Sequence, residues 1–169
     1  MKTHLLELPI ITRDGQFIAR YSEKGLAELN FPTKPNGSAD LPVSPDARRR
    51  VPIKVSAWHR ATETALNKIL AGGKPKKLPP LDLSGTELQK NIWHALRKIP
   101  QGKTKSYGEI AQAIGKPNAV RAVGGACGAN PVPILVPCHR VLAANKKLGG
   151  FSGGLDWKRR LLEREGIKF

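Results

Sequence analysis

The sequence predicts a mixed α/β (α+β) chain in two parts. A small three-stranded sheet with one helix occupies residues 1–80, and a mainly helical unit with a helix-turn-helix occupies residues 81–169. Three observations carry that expectation. Alternating runs flank Asp14-Gly15, a dipeptide that supplies the positive φ of a two-residue hairpin turn. A tract rich in proline and lysine, residues 74–83, interrupts regular structure between the halves. Two capping boxes, Thr86 with Gln89 and Ser106 with Glu109, open helices in the second half.

Residues 4–11, rich in Leu and Ile, read as the first strand. Phe17, Ala19 and Tyr21 alternate with Gln16, Ile18 and Arg20 in the second. After a turn at residues 22–25, residues 26–31 complete a meander. Residues 32–50 hold Pro32, Pro35, Pro42, Pro45 and Asn36-Gly37, which marks a loop, and end in the solvated cluster Arg48-Arg49-Arg50. Val55, Trp58, Thr62, Ala65, Leu66 and Ile69 fall at helical spacing, so a helix is expected from about Ser56 to Leu70, stopped by Gly72-Gly73.

In the second half, Leu88, Ile92, Trp93, Leu96 and Ile99 form the apolar stripe of one helix, ended at Pro100-Gln101-Gly102. The next runs from Ser106 to about Ile114. A turn at residues 115–118 leads to a third, residues 119 to about 129, with Asn118 as its N-cap. Two short helices joined by a tight turn suggest the helix-turn-helix. Ile134-Leu135-Val136 reads as a short buried strand that stops at Pro137, which has no N–H to donate. Leu155, Lys158, Leu161 and Leu162 mark a last amphipathic helix, with Gly166 just past its end.

Composition narrows the function classes. The 169 residues include 29 basic against 13 acidic side chains, a formal charge of +16 that calls for a polyanionic partner, foremost nucleic acid. Two cysteines are too few for a disulfide framework or a cysteine-based zinc site. No apolar run is long enough to span a bilayer, and residues 5–11 carry Glu7 and Pro9 and lack the features of a signal peptide. A cytoplasmic, reducing setting is expected, nucleoid-associated in a prokaryote or nuclear in a eukaryote, where a thiol persists.

Two features invite chemistry. The third helix of the second half, with Ala122, Gly124, Gly125, Ala126, Gly128 and Ala129, is nearly bare of side chains. Glycine weakens a helix by up to about 1 kcal/mol relative to alanine. Close approach of its backbone to another helix or to a nucleic-acid groove, the narrow minor groove included, would account for that composition. Arg121, the long side chain of its first turns, either pairs with a phosphate or enters the base stack. The second feature is Cys138-His139 after Pro137: a buried structural cysteine on one reading, a rigidly held reactive thiol on the other. Neighbours on an extended chain face opposite ways, so His139 need not touch the sulfur. Cys127 reads as a small packing residue.

Taken together, Tyr107 in Ser-Tyr-Gly-Glu, Arg121 in Arg-Ala-Val-Gly-Gly-Ala, Asn130-Pro131, Pro137-Cys138-His139-Arg140-Val141, Phe151-Ser152-Gly153-Gly154 and Glu165 resemble the O6-alkylguanine-DNA alkyltransferases in order and spacing over residues 85–166. The first half resembles that family only in plan, a small ribonuclease H-like sheet with a helix. The resemblance implies single-turnover repair of double-stranded DNA bearing O6-alkylguanine, and less readily O4-alkylthymine, with no cofactor and no metal. Cys138 would take the alkyl group and keep it as a thioether. Glu165, His139 and a water would draw off its proton, since a thiol near its ordinary pKa is mostly unreactive at neutral pH. Asn130 would shape the turn before the thiol. Tyr107 would disturb the adjoining phosphate and donate to guanine N3. Arg121 would replace a flipped base, with Ala122, Gly125 and Ala129 against the minor groove. Val141, Phe151, Ser152 and Gly153 would line the base pocket. The protein would act as a monomer, or cooperatively along DNA, and without a membrane.

Phe151 stands where some relatives carry tyrosine, which removes a hydroxyl from the loop at residues 151–154 that would fold over the base. The Cys and His set that binds structural zinc in some relatives is missing, as is the zinc-binding sensor domain of the regulatory forms. Two other classes stay open on the residues alone: a lesion-binding module without chemistry, which Cys138 argues against, and a cysteine hydrolase, which leaves Arg121 and the glycine-rich helix unexplained.

Overall fold

The computed structural model describes residues 5–32 and 51–168. The first residue of the predicted first strand, His4, the Asn36-Gly37 loop and the Arg48-Arg49-Arg50 cluster lie outside the described residues. A meander of three antiparallel strands opens the chain: β1 (Leu6–Thr12), β2 (Gly15–Tyr21) and β3 (Leu26–Asn30), in the order β1-β2-β3. The hairpin turn sits one residue earlier than Asp14-Gly15. Thr12 pairs with Gly15, so Arg13 and Asp14 make the turn and Gly15 leads β2 at φ 117°. Side-chain alternation explains the register. Leu8 opposes Ala19 and Ile10 opposes Phe17 on the buried face, and a slip of one residue would turn the apolar set outward.

Helix α1 (Ile53–Leu70) begins three residues before its predicted start and buries Val55, Thr62, Ala65, Leu66, Ile69 and Leu70. Tyr21 Oη donates to Thr62 Oγ1 at 3.0 Å, joining β2 to α1. The proline-rich tract is pinned along β3: Leu26 N–H donates to the Pro80 carbonyl at 2.8 Å, and Asp82 N–H to the Leu26 carbonyl at 2.9 Å.

Four helices follow: α2 (Glu87–Leu96), α3 (Tyr107–Ala113), α4 (Val120–Gly128) and α5 (Leu155–Arg164). Both capping boxes close. Thr86 Oγ1 accepts from Gln89 N–H at 3.2 Å and Gln89 Oε1 from Thr86 N–H at 2.9 Å, and Ser106 and Glu109 repeat the pattern at 3.1 and 2.7 Å. Buried Trp93 on α2 donates its indole N–H to the Ala126 carbonyl on α4 at 2.8 Å. The N-cap of α4 is Ala119, with no side-chain cap bond, and not Asn118. Ala119 N–H closes a turn onto the Lys116 carbonyl at 2.9 Å, which encloses Asn118 one position too early to cap.

Ile134-Leu135-Val136 is not a strand. Val136 N–H donates back to the Val132 carbonyl at 2.9 Å, making a buried turn, and Ile134 takes φ 75°. An apolar run reports burial, and the prolines at 131, 133 and 137 deny the segment the N–H groups that ladder pairing needs. A pair absent from the sequence reading lies beyond it: β4 (Lys105–Ser106) runs parallel to β5 (Val141–Leu142). It sets the chain after Cys138 beside the start of α3. One continuous core passes from Ile10 and Phe17 through Leu66, Trp93 and Ile110 to Val136, Cys138 and Leu161.

Candidate active site

Cys138 lies where the buried turn delivers the chain into a single turn of 3-10 helix, Cys138–Arg140. The Asn130 amide organises that turn. Its Oδ1 accepts from Val132 N–H at 3.1 Å, and its Nδ2 donates to the Val136 carbonyl at 2.9 Å and to Cys138 Sγ at 3.1 Å. A β-branched residue at positive φ, as Ile134 is, costs of order 1–3 kcal/mol and persists only where its surroundings over-determine it. The strain therefore sits in the turn that carries the thiol. Cys138 is 3% exposed. Burial pushes its pKa up, and the Asn130 amide and the Lys158 charge offset only part of that push. At neutral pH it is a thiol.

Fully buried His139 meets Glu165 across 3.0 Å, from Nε2 to Oε1. Burial alone would raise the Glu165 carboxyl, but the hydrogen bonds and charges of His139 and Arg140 outweigh it and hold the group down at about 2. An ionised carboxylate can only accept, so the imidazole proton sits on Nε2 and the lone pair on Nδ1. That Nδ1 is buried and has no hydrogen-bond partner within the protein. Burial lowers the His139 pKa and Glu165 works against that shift. Arg140 grips both Glu165 oxygens, with Nε 3.1 and 3.0 Å from Oε1 and Oε2 and Nη2 2.8 Å from Oε1, and its Nη1 reaches the Ile99 carbonyl at 2.7 Å. Gly102 N–H completes the set at 3.1 Å from Oε2.

Of the other residues singled out from sequence, Tyr107 begins α3, half-buried, and burial raises its pKa, with smaller contributions from the nearby Cys127 and Cys138. A Cβ at Gly149 would come within 2.9 Å of the Tyr107 hydroxyl, so the segment before Phe151 packs directly on it. Val141 is buried in β5. Phe151 lies edge-on to Phe31 of the first half, with ring centroids 5.6 Å apart, and 6.5 Å from the His139 ring. Ser152 is exposed, and Gly153 rests on Phe31 so closely that a Cβ would come within 2.7 Å of the ring. A cavity of about 430 Å³ lies between β3 and the thiol turn, lined by Phe31, Asn130, Pro133 and Ser152 among others.

Arg121 and Gly125 on α4 and Ala129 at its C-cap are exposed, with Ala122 partly covered. Val123, Ala126 and Cys127 are the buried side of that helix. A Cβ at Gly124, Gly125 or Gly128 would meet nothing within 4 Å. Packing within the molecule does not require these glycines.

The sequence places Lys158 on an amphipathic stripe, yet it is fully buried. Its Nζ donates to the Val141 carbonyl at 2.7 Å, the Gly150 carbonyl at 3.2 Å and the Leu148 carbonyl, tying α5 to β5 and to the segment before Phe151. A lysine among leucines in an apolar stripe is the signal that was available. Lys158→Met keeps the volume and strands three carbonyls, so urea denaturation at pH 7 should show a loss of about 3 kcal/mol.

Residues 87–167 match the family model described as 6-O-methylguanine DNA methyltransferase, DNA binding domain. The methylated-DNA–protein-cysteine methyltransferase of Methanosarcina acetivorans is 41% identical over 162 residues, which cover 96% of each chain. This chain belongs to the methylated-DNA–protein-cysteine methyltransferase family. The Mycobacterium tuberculosis (H37Rv) member of that family is 54% identical over 100 residues, 59% of this chain, and the match spans 61% of its own length. A crystal structure of Mycobacterium tuberculosis O6-methylguanine methyltransferase superposes with a TM-score of 0.73 at 35% identity, covering 96% of this chain and 93% of that one. A structure of Mycobacterium tuberculosis OGT in complex with DNA superposes at 0.69, with 37% identity and coverage of 93% and 90%. Among the described residues no helix is long and apolar enough to cross a membrane.

Proposed function

We propose that this methyltransferase-family chain repairs DNA by direct reversal. It moves the alkyl group, methyl first of all, from O6 of guanine, and less readily O4 of thymine, to Cys138 Sγ. A carbon–sulfur bond forms as the carbon–oxygen bond breaks, the thiol proton leaves by way of a water to His139, an equivalent proton reaches the released guanine through Tyr107, and each molecule reacts once. The observation that carries this reading is a buried free thiol, held by Asn130 and followed in the chain by a His139 whose proton is fixed on Nε2 by an ionised Glu165. The Nδ1 lone pair is then the base, and one water relays the Cys138 proton to it. Because burial raises the thiol pKa, the step needs that acceptor.

Tyr107 donates to guanine N3 as the base leaves and displaces the adjoining phosphate. Val141, Phe151, Ser152 and Gly153 hold the base, which must leave the stack because O6 in a duplex is closed to in-line attack. Arg121 fills the gap it leaves. We read α3, the turn and α4 as a helix-turn-helix whose second helix enters the minor groove. The open space over Gly124, Gly125 and Gly128 supports that reading, since these glycines suit an external partner that comes close. The division into residues 1–80 and 81–169, the ribonuclease H-like plan of the first part, action as a monomer or cooperatively along DNA, and a cytoplasmic or nuclear setting belong to the same proposal.

Incubation with a duplex bearing O6-methylguanine, followed by intact-protein and peptide mass measurement, tests it. One methyl group on Cys138 is expected. An unmodified protein that still binds the duplex would replace this reading with lesion recognition alone.

A further inference from the structure

We propose that Asp14, at the tip of the first hairpin, is a positioning residue for alkyl transfer. Through Arg164 it holds the end of α5, and with it the Glu165 carboxylate, against His139 and Arg140. This rests on the activity proposed above and gives the first half of the chain a task in it.

Arg164 is the last residue of α5 and Glu165 is its C-cap, so no flexible segment separates the residue that is held from the one that acts. Arg164 forks onto Asp14, with Nη1 2.9 Å from Oδ2 and Nη2 2.6 Å from Oδ1. A two-pronged pair of this kind fixes direction as well as distance. The Asp14 side chain is 8% exposed, and Arg13 and Arg160 add positive charge at 3.6 and 3.9 Å. Asp14 is itself fixed: its N–H donates to Thr12 Oγ1 at 3.1 Å, and that hydroxyl donates to the Gly15 carbonyl at 2.8 Å.

A second tie runs from the end of α1 to the same carboxylate. Gly72, at φ 78°, lies so close under the Arg164 carbonyl that a Cβ would come within 2.7 Å of the oxygen. Its own carbonyl accepts from Gln101 Nε2 at 2.7 Å, and the next residue, Gly102, donates its N–H to Glu165 Oε2 at 3.1 Å. Both routes begin in residues 1–80 and end on Glu165. A displacement of about 1 Å in such a constellation costs up to about 100-fold in rate.

The test is single-turnover transfer from an O6-methylguanine duplex by the full chain, with the rate constant measured across pH and scaled to the folded fraction from circular dichroism. Asp14→Asn should slow transfer about tenfold. It should also move the acid limb of the pH profile downward, because His139 is the base and a loosened Glu165 no longer supports its protonated form. Duplex affinity should stay at the wild-type value. Asp14→Glu, which keeps the charge, should recover the rate to within about threefold, and Arg164→Gln combined with Asp14→Asn should be no slower than either alone. A wild-type rate and acid limb in folded Asp14→Asn would overturn the proposal, and so would a slowed rate with an unmoved limb and no recovery in Asp14→Glu. A wild-type protein that transfers nothing would instead remove the repair reading and leave the Asp14–Arg164 tie a structural bond.

Discussion

Cys138→Ser is expected to eliminate alkyl transfer, by at least about 1000-fold, while duplex binding stays at the wild-type level. The near-equal volume keeps the turn intact, and the serine oxygen can still accept from Asn130 Nδ2, which lies 3.1 Å from the sulfur. What is lost is the nucleophile: a hydroxyl ionises far less readily than a thiol, and burial moves either group further from ionisation. Mass measurement after incubation with methylated duplex, beside a binding titration, reads both halves of the expectation. A serine variant that still acquires a methyl group at the same rate would place the acceptor elsewhere in the chain.

Glu165→Gln is expected to slow transfer about 100-fold and to change how stability depends on pH. The amide no longer fixes the His139 proton on Nε2, so Nδ1 ceases to be the assured base. It also leaves the largely buried Arg140 guanidinium without a counter-charge, a loss of about 3–5 kcal/mol for a broken buried pair. The sign of the pH effect follows from the folded carboxyl lying at about 2, below its ordinary value. The stabilisation is complete above the unfolded pKa and disappears as pH falls towards 2. It amounts to about 3 kcal/mol at about 1.4 kcal/mol per unit. Burial likewise holds His139 below its ordinary value, so its share is lost on the same side, as pH drops below about 6.5. Denaturant titrations at pH 7 and pH 3 should show the wild-type advantage over Glu165→Gln shrinking at the lower pH. An advantage equal at both would contradict the depressed carboxyl.

Local signals made much of the fold legible. The capping boxes at Thr86 and Ser106 are contained within four residues each, and the β1–β2 alternation within one hairpin, so they hold whatever the rest of the chain does. Sequence and structure part where a local cue competes with tertiary demand. Hydrophobicity at Ile134-Leu135-Val136 reported burial, while Asn130 and three prolines decided the shape. Asn118 is a good capping residue in the wrong place by one. At the site, resemblance pointed to Cys138, His139, Asn130 and Glu165, and the structure brings Asn130 to the thiol and Glu165 to His139. The second grip on Glu165, from Arg140, joins residues 25 apart, and the Asp14–Arg164 fork joins residues 150 apart. No periodicity or spacing rule spans such separations. The burial of Lys158 is not legible because three backbone carbonyls, which have no sequence signature, make it tolerable.

Asn130 ties one amide to both the shape of the turn and the chemical state of the sulfur. A thiol can accept from Nδ2 and still donate its own proton, whereas a thioether has no proton to give and carries an added carbon into a place that is 3% exposed. Close-packed interiors resist an extra methyl group, typically at a cost of about 1–3 kcal/mol. The turn is therefore in register with an unused sulfur and out of register with a used one. On the proposed activity, a spent molecule is expected to differ from a fresh one in shape as well as in mass, beginning at Asn130.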